Sequence, residues 1–141
     1  MKKTIIVVDG MGGGIGAQLV SRTRELIGGE AEIIALGANS CATERMLKAG
    51  ADRGASGENA IRVSAPLGDV VLGPMGIVVP DSMMGEITPV IAGAVFGARG
   101  RLILVPVAQS HFTLVGVEKV PMAVLIAAAA AEAARELGIE K

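Results

Sequence analysis

A glycine run set between a strand-like and a helix-like pattern constrains this chain more than any other feature. Thr4 to Val8 (Thr-Ile-Ile-Val-Val) is apolar and β-branched without alternation, the pattern of a strand covered on both faces. It leads directly into Asp9 and then Gly10-Met11-Gly12-Gly13-Gly14-Ile15-Gly16. Beyond these, Ile15, Leu19, Val20, Leu26 and Ile27 fall on one face of a helix that Gly28-Gly29 stops. Glycines between a strand and a helix let backbone N–H groups approach a phosphate, and the helix N-terminus adds about half a positive charge. Asp9, Gly10, Met11, Gly12, Gly13, Gly14 and Ile15 are therefore candidate ligand-binding residues. A second reading stays open, in which the glycines only allow tight packing of helix on strand.

The rest of the chain keeps alternating strand and helix patterns, with no internal repeat, linker or composition break. Strands are predicted at 31–36, 60–64, 69–72 and 101–107, and 112–115 reads as a sixth strand or an extended segment. Helices are predicted from Asn39 or Ser40 to Ala49, over 89–97 with Thr88 as cap and Pro89 at its first position, this one apolar on every side and so expected to be buried all round, and over 121–137. The expected fold is one small Rossmann-like α/β domain spanning residues 1–141. It has three layers, a largely parallel sheet of five to six strands and helices on both faces. The short link from Ser64 to Asp69 is the one place where a hairpin fits instead.

Composition removes whole classes of function. With no Trp, no Tyr and two Phe among 141 residues, a stacking platform for RNA bases is excluded, and 13 basic against 14 acidic residues provide no surplus for a nucleic-acid backbone. One Cys and one His exclude an intrachain disulfide, a CxxC pair and a Cys- or His-rich metal site within one chain. The longest apolar runs, such as 123–131, reach about half of the roughly 20 residues of a membrane span. The expectation is a cytoplasmic protein without membrane or nucleic-acid partners. Between Val63 and Ala98 the only charged residues are Asp69, Asp81 and Glu86, too few for a stretch facing water along its whole length. A homo-oligomer built through 63–98 follows, a dimer being the commonest form.

The loop spacing Gly10-x-x-x-Gly14-x-Gly16 resembles that of short-chain dehydrogenases, and Gly12-x-Gly14-x-x-Ala17 meets the looser dinucleotide pattern. NAD(P) or another nucleotide is the cofactor class this suggests. Three features depart from it. Gly37-Ala38-Asn39-Ser40 stands where an acidic residue would hold a ribose hydroxyl, Arg45 is a full helical turn beyond the place for an NADP-binding base, and Asp9 would repel a bare phosphate. The dehydrogenases themselves are excluded, because the Tyr-x-x-x-Lys pair by which they resemble one another needs a tyrosine.

If the strands end on one rim, further polar groups converge there: Asn39 and Ser40 after the second, Gly73 with Pro74 after the fourth, and Gln109-Ser110-His111 after the fifth. Asn39 or Ser40 equally reads as a helix cap, and Asn59 as a turn residue. Glu86 and Asp81 lie in an uncharged surrounding that would suit a general acid or base, with His111 as a proton shuttle. Both carboxylates also have structural readings, Glu86 as a partner for the N–H groups of the helix after it and Asp81 for the 82–84 backbone. Cys41 sits at a helix start without a second cysteine or an adjacent base.

Taken together, Ile6-Val7-Val8-Asp9-Gly10 with its glycine run, Ile34 to Ser40, Met46 to Ala51, Gly57 to Ile61, Gly73 to Ile77 and Asp81 to Thr88 resemble a family of short bacterial proteins of unknown function common in anaerobic Firmicutes. The resemblance spans nearly the whole chain and implies a one-domain protein with no stated activity. Three functions remain in view. The first is a module binding a nucleotide or other phosphorylated small molecule at Gly10 to Gly16. The second is a small enzyme on a phosphorylated or carboxylated metabolite, with Glu86, Asp81 or His111 as acid–base group. The third is a ligand-free structural or regulatory oligomer.

Overall fold

Because Ile5, Ile6, Val7 and Val8 are all buried, the strand that carries them lies at the middle of a sheet with cover on both sides. The computed structural model describes residues 2–107, 112–117 and 119–139. In it β1 (Lys3–Asp9) is followed by α1 (Gly14–Ile27), β2 (Ala31–Gly37), α2 (Ser40–Lys48), β3 (Arg53–Ser56) and α3 (Glu58–Ser64). A 3-10 turn at Ala65–Leu67 leads to β4 (Val70–Pro74), a second at Met75–Val78 follows, and α4 (Pro89–Phe96), β5 (Arg101–Val105) and α5 (Met122–Glu136) complete the order. All strand pairs are parallel and the strand order is β3-β2-β1-β4-β5.

Strand side chains alternate between two cores. Ile5, Val7, Ile33, Ala35, Val70 and Leu72 face α1, α2 and α5. Ile6, Val8, Ile34, Leu36 and Val71 face α3, α4 and the 3-10 turns. This is the expected Rossmann-like three-layer arrangement, each fully buried Ile or Leu contributing about 1.5–3 kcal/mol. No helix among the described residues is long and apolar enough to cross a membrane.

Four local readings are decided by the fold. Residues 60–64 belong to α3 and not to a strand; Ile61 and Ala65, four apart, are the residues buried, while Val63 is exposed. The third strand is instead Arg53-Gly54-Ala55-Ser56, an edge strand whose mostly exposed residues lack an apolar signal. It pairs with β2, and Ser56 donates its hydroxyl hydrogen to Thr43 Oγ1 on α2. The 64–69 link makes no hairpin, since β4 runs parallel to its neighbours. Residues 112–115 add no sixth strand among the described residues. The helix after Thr88 forms, with the Thr88 hydroxyl accepting from Ile91 N–H, but it is not buried all round: Val90 and Phe96 are exposed.

Candidate functional site

In the order 3-2-1-4-5 the chain direction across the sheet reverses between β1 and β4, so a crevice opens at their carboxyl ends. The glycine loop leaves β1 at that point. A cleft of about 260 Å³ is bounded there by Asp9, the loop from Gly10 to Ile15, Pro74, Gly76, Met83 and Val107.

Asp9 organises the loop. Its carboxylate accepts the N–H of Gly10 at 2.8 Å through Oδ1 and that of Gly16 at 2.7 Å through Oδ2. Gly13 precedes α1 and has no side chain, so a residue from β1 supplies the cap that the third helical N–H needs. Burial raises the Asp9 pKa and the negative charge of Glu86 adds to it, only partly offset by the Gly16 and Gly10 N–H bonds and by Arg45.

The five glycines from Gly10 to Gly16 divide into two groups. A Cβ on Gly10 would meet Glu86 Oε1 at 2.5 Å, one on Gly13 would meet the Ala42 backbone at 2.8 Å, and one on Gly16 would meet Met46 Sδ at 2.7 Å and Asp9 Cβ at 2.8 Å. Gly13 also has a left-handed φ of 72°. Gly12 and Gly14 differ: a Cβ there comes no nearer than 3.9 Å and 3.6 Å to the end of the Arg45 side chain. The N–H groups of Gly14 and Ile15 find no acceptor among the described residues, as expected for a helix N-terminus whose cap reaches only the third position, and neither does that of Gly12 in the turn before the helix.

Asn39 does two jobs. Its Oδ1 accepts Ala42 N–H and caps α2, while its Nδ2 donates to the Met11 carbonyl and to Glu86 Oε2, each at 2.9 Å. Glu86 comes from the long connection between β4 and α4 and accepts Met11 N–H at 2.5 Å. It thus serves the glycine loop, and Thr88 caps the helix that follows it. Met11, left-handed at φ 51°, has both its backbone groups held by side chains from other elements.

Arg45 is the site residue that sequence spacing undervalued. Its offset of one turn along α2 carries its guanidinium over the loop, with Nη1 3.4 Å from the Gly12 carbonyl. The signal for this was the Asn39 cap, which fixes the phase of α2 with Ala42 and Met46 inward and Arg45 on the flank toward the glycines.

The remaining candidates are placed elsewhere. Ser40 is exposed and lines a shallow depression on α2 with Cys41, Glu44, Arg45 and Lys48. Gly73 is buried within β4, where a Cβ would strike Ile77 and the Val8 carbonyl, and its neighbour Pro74 is the residue that reaches the cleft. Asp81 is exposed and borders a second cavity of about 280 Å³ with Val79, Pro80, Ser82 and Phe112. Asn59 sits on α3, accepting from Arg62. Gln109, Ser110 and His111 lie outside the described residues. Among the described residues no three His, Cys, Asp or Glu side chains group closely enough to hold a metal ion.

The family model for the Domain of unknown function (DUF3842) matches residues 4–138, and the chain belongs to that family. No curated protein matches it. Among solved structures it is similar to a dodecameric FMN-dependent Ubix-like decarboxylase from Escherichia coli O157:H7, with 15 % identity, 96 % of each chain covered and a TM-score of 0.50. Another match is an imine reductase from Myxococcus stipitatus, a V8 variant in complex with NAD+, with 16 % identity, 99 % of this chain and 39 % of that one covered and a TM-score of 0.44. The likeness to the decarboxylase is one of fold.

Proposed function

We propose that this DUF3842 protein binds a phosphorylated small molecule of mononucleotide size. The phosphate would sit on the N–H groups of Gly12, Gly14 and Ile15, beside the Arg45 guanidinium. The observation that carries this reading is that Gly12 and Gly14 lack side chains at positions where the fold has room for them. Their absent Cβ atoms leave a row of unpaired donors open to the cleft, at the positive end of a 14-residue helix. A bond from such an N–H to an anionic oxygen is worth about 1.5–3 kcal/mol.

Size and polar partners favour a single nucleotide or a sugar phosphate over NAD(P). The cleft, about 260 Å³, lies below the range of roughly 300–1,000 Å³ usual for pockets of larger ligands. The position after β2 that holds a ribose in dinucleotide sites is taken by Asn39, whose amide is already committed to Ala42, Met11 and Glu86.

The test is thermal unfolding against FMN, ADP, ATP, GTP, NAD and NADP, each with and without magnesium. FMN heads the panel as a phosphorylated mononucleotide. A ligand at about 100 times its Kd adds about 2.7 kcal/mol of stability. Arg45→Glu should abolish the shift while leaving the Tm of the free protein nearly unchanged, since Arg45 is exposed. Absence of any shift, together with natively purified protein that releases no phosphorylated molecule in mass spectrometry, overturns the proposal.

A further inference from the structure

We infer that the segment 80–88 is a strap whose Glu86 carboxylate guards the glycine loop beside the N–H groups offered to a ligand's anionic group and leaves when that group arrives. The inference rests on the reading of the cleft as an anion site, and it names how that site is regulated. Glu86 Oε1 takes Met11 N–H and Oε2 takes the Asn39 amide, so one carboxylate engages the loop as a phosphate oxygen pair would. The loop is shaped to receive it: a Cβ on Gly10 would overlap both Glu86 Oε1 and Met83 Sδ, the latter at 2.9 Å. Met83 itself forms part of the cleft wall. The strap therefore covers the loop with one acidic and one apolar side chain, next to the free N–H groups of Gly12, Gly14 and Ile15.

The backbone of the strap is under strain. Asp81, Met83 and Met84 all have left-handed φ values, 66°, 56° and 58°, and Gly85 follows at 86°. Such a run of non-glycine residues is unfavourable and persists where surrounding contacts impose it. The segment is closed on itself by Asp81 N–H to the Ile87 carbonyl and Ile87 N–H to the Ser82 carbonyl, and it is anchored beyond Glu86 by the buried Ile87 and the Thr88 cap. Its tip, Met84, is almost fully exposed. The Ser82 hydroxyl holds the base of the turn by donating to the Gly76 carbonyl, while Glu86 and Met83 tie its outer part to the loop, so release of the Glu86 carboxylate by a more highly charged phosphate frees residues 83–86. A phosphate on the adjacent N–H groups adds its charge to that of Asp9 and repels the Glu86 carboxylate, which biases the strap toward release.

The test uses the full chain labelled with 15N, as wild type, Glu86→Gln and Glu86→Ala, titrated with inorganic phosphate and with pyrophosphate. Glu86→Gln is nearly isosteric and carries the comparison if the alanine variant is poorly folded. The expected result is at least tenfold tighter phosphate binding in the variants than in wild type. In wild type the amide signals of Met11 and residues 83–86 should move together with those of Gly12, Gly14 and Ile15 as phosphate is added. Hydrogen exchange at Met11 N–H should be at least tenfold faster in Glu86→Ala before any ligand is present. If the loop amides respond but both variants bind phosphate equally or more weakly, Glu86 is a ligand-holding group and the strap is overturned while the anion site stands. If no loop amide responds in any of the three proteins, the anion site falls and the strap with it.

Discussion

At the scale of single residues the loop is governed by what each missing side chain leaves room for. Gly13 combines a left-handed φ of 72° with an Ala42 backbone that a Cβ would meet at 2.8 Å, so Gly13→Ala combines strain with overlap. It should cost about 2–5 kcal/mol by urea unfolding, from a left-handed penalty of about 1–2 kcal/mol and an overpacking cost of about 1–3 kcal/mol. Gly14→Ala is expected to do the opposite. It stands at the first position of α1, where a Cβ meets only the flexible end of Arg45 at an ordinary contact distance of 3.6 Å, and alanine there reduces unfolded-chain entropy, raising stability by up to about 1 kcal/mol. The same methyl would stand between the loop N–H groups and any phosphate, so the stabilised Gly14→Ala protein should lose the ligand-dependent Tm shift. A Gly14→Ala variant that is destabilised, or that keeps the full shift, contradicts this division. The glycine run was plain in the sequence, but its division was not, because that depends on Ala42, Met46 and Arg45, which α2 brings in from some thirty residues away.

At the scale of elements, regular patterns could be read directly while those maintained by a neighbour could not. β1, β2, α1 and α4 form where their periodicity and caps predict, because each buries its own apolar face. β3 was misplaced because its pairing comes from β2 and from a hydroxyl contact with α2, neither visible in Arg-Gly-Ala-Ser. Ala60 to Ser64 reads as a short strand, but tertiary contact selects Ile61 and Ala65 as the buried pair of a helix. The far ends of these elements are fastened by Arg24 and Asp52. The Asp52 carboxylate accepts Arg24 Nη2 at 2.7 Å and Ile33 N–H at 2.8 Å, and Arg24 also donates to the carbonyls of Gly28 and Gly50. Partial burial pushes the Asp52 pKa up, but the Ile33 N–H and the Arg24 guanidinium outweigh it and hold the group below the usual aspartate value. With its folded pKa below its unfolded one, Asp52 stabilises the fold above the unfolded value, and that contribution disappears as pH falls through the folded one. Asp9 has the opposite sign: its folded pKa is raised, so its contribution declines as pH climbs from the ordinary aspartate value through the folded one. Because Asp52 is about half exposed, solvent screening limits its ion pair to the low end, and Asp52→Asn, whose amide oxygen can still accept Ile33 N–H, should cost about 1 kcal/mol at neutral pH by removing the charge that strengthens the Ile33 and Arg24 bonds. Urea titrations across pH should show that difference shrinking toward zero in acid; a constant difference contradicts the assignment.

For the molecule as a whole, the layer made by α3, the 3-10 turn at Ala65–Leu67 and α4 is where the shortage of charge between Val63 and Ala98 becomes a physical surface. Ile61, Ala65, Ile91 and Val95 point into the sheet, which leaves Val63, Leu67, Val90 and Phe96 outward, Leu67 and Phe96 at 61 % and 73 % exposure. The expectation of a largely apolar α4 thus holds for its composition, and its burial within one chain is only partial. We propose that copies of the chain associate through this layer, because it turns four apolar side chains outward, with the charged Glu58 and Arg62 of α3 at its edge, and exposed apolar groups bordered by polar residues are of the kind that marks an interaction surface. The carboxyl rim with the glycine loop belongs to the sheet end, so association through the α3–α4 layer leaves the cleft open to ligand. Light scattering coupled to size exclusion should give a mass at least twice that of the 14.2 kDa chain. Phe96→Glu, a change on an exposed side chain, should shift the mass to that of the single chain while leaving the free-chain fold intact. It should also leave the Arg45-dependent ligand response in place, since Phe96 ends α4 and Arg45 lies across the sheet on α2. A wild-type protein that runs as a single chain at all concentrations rules the association out, and a Phe96→Glu protein that stays assembled moves the interface to a different face.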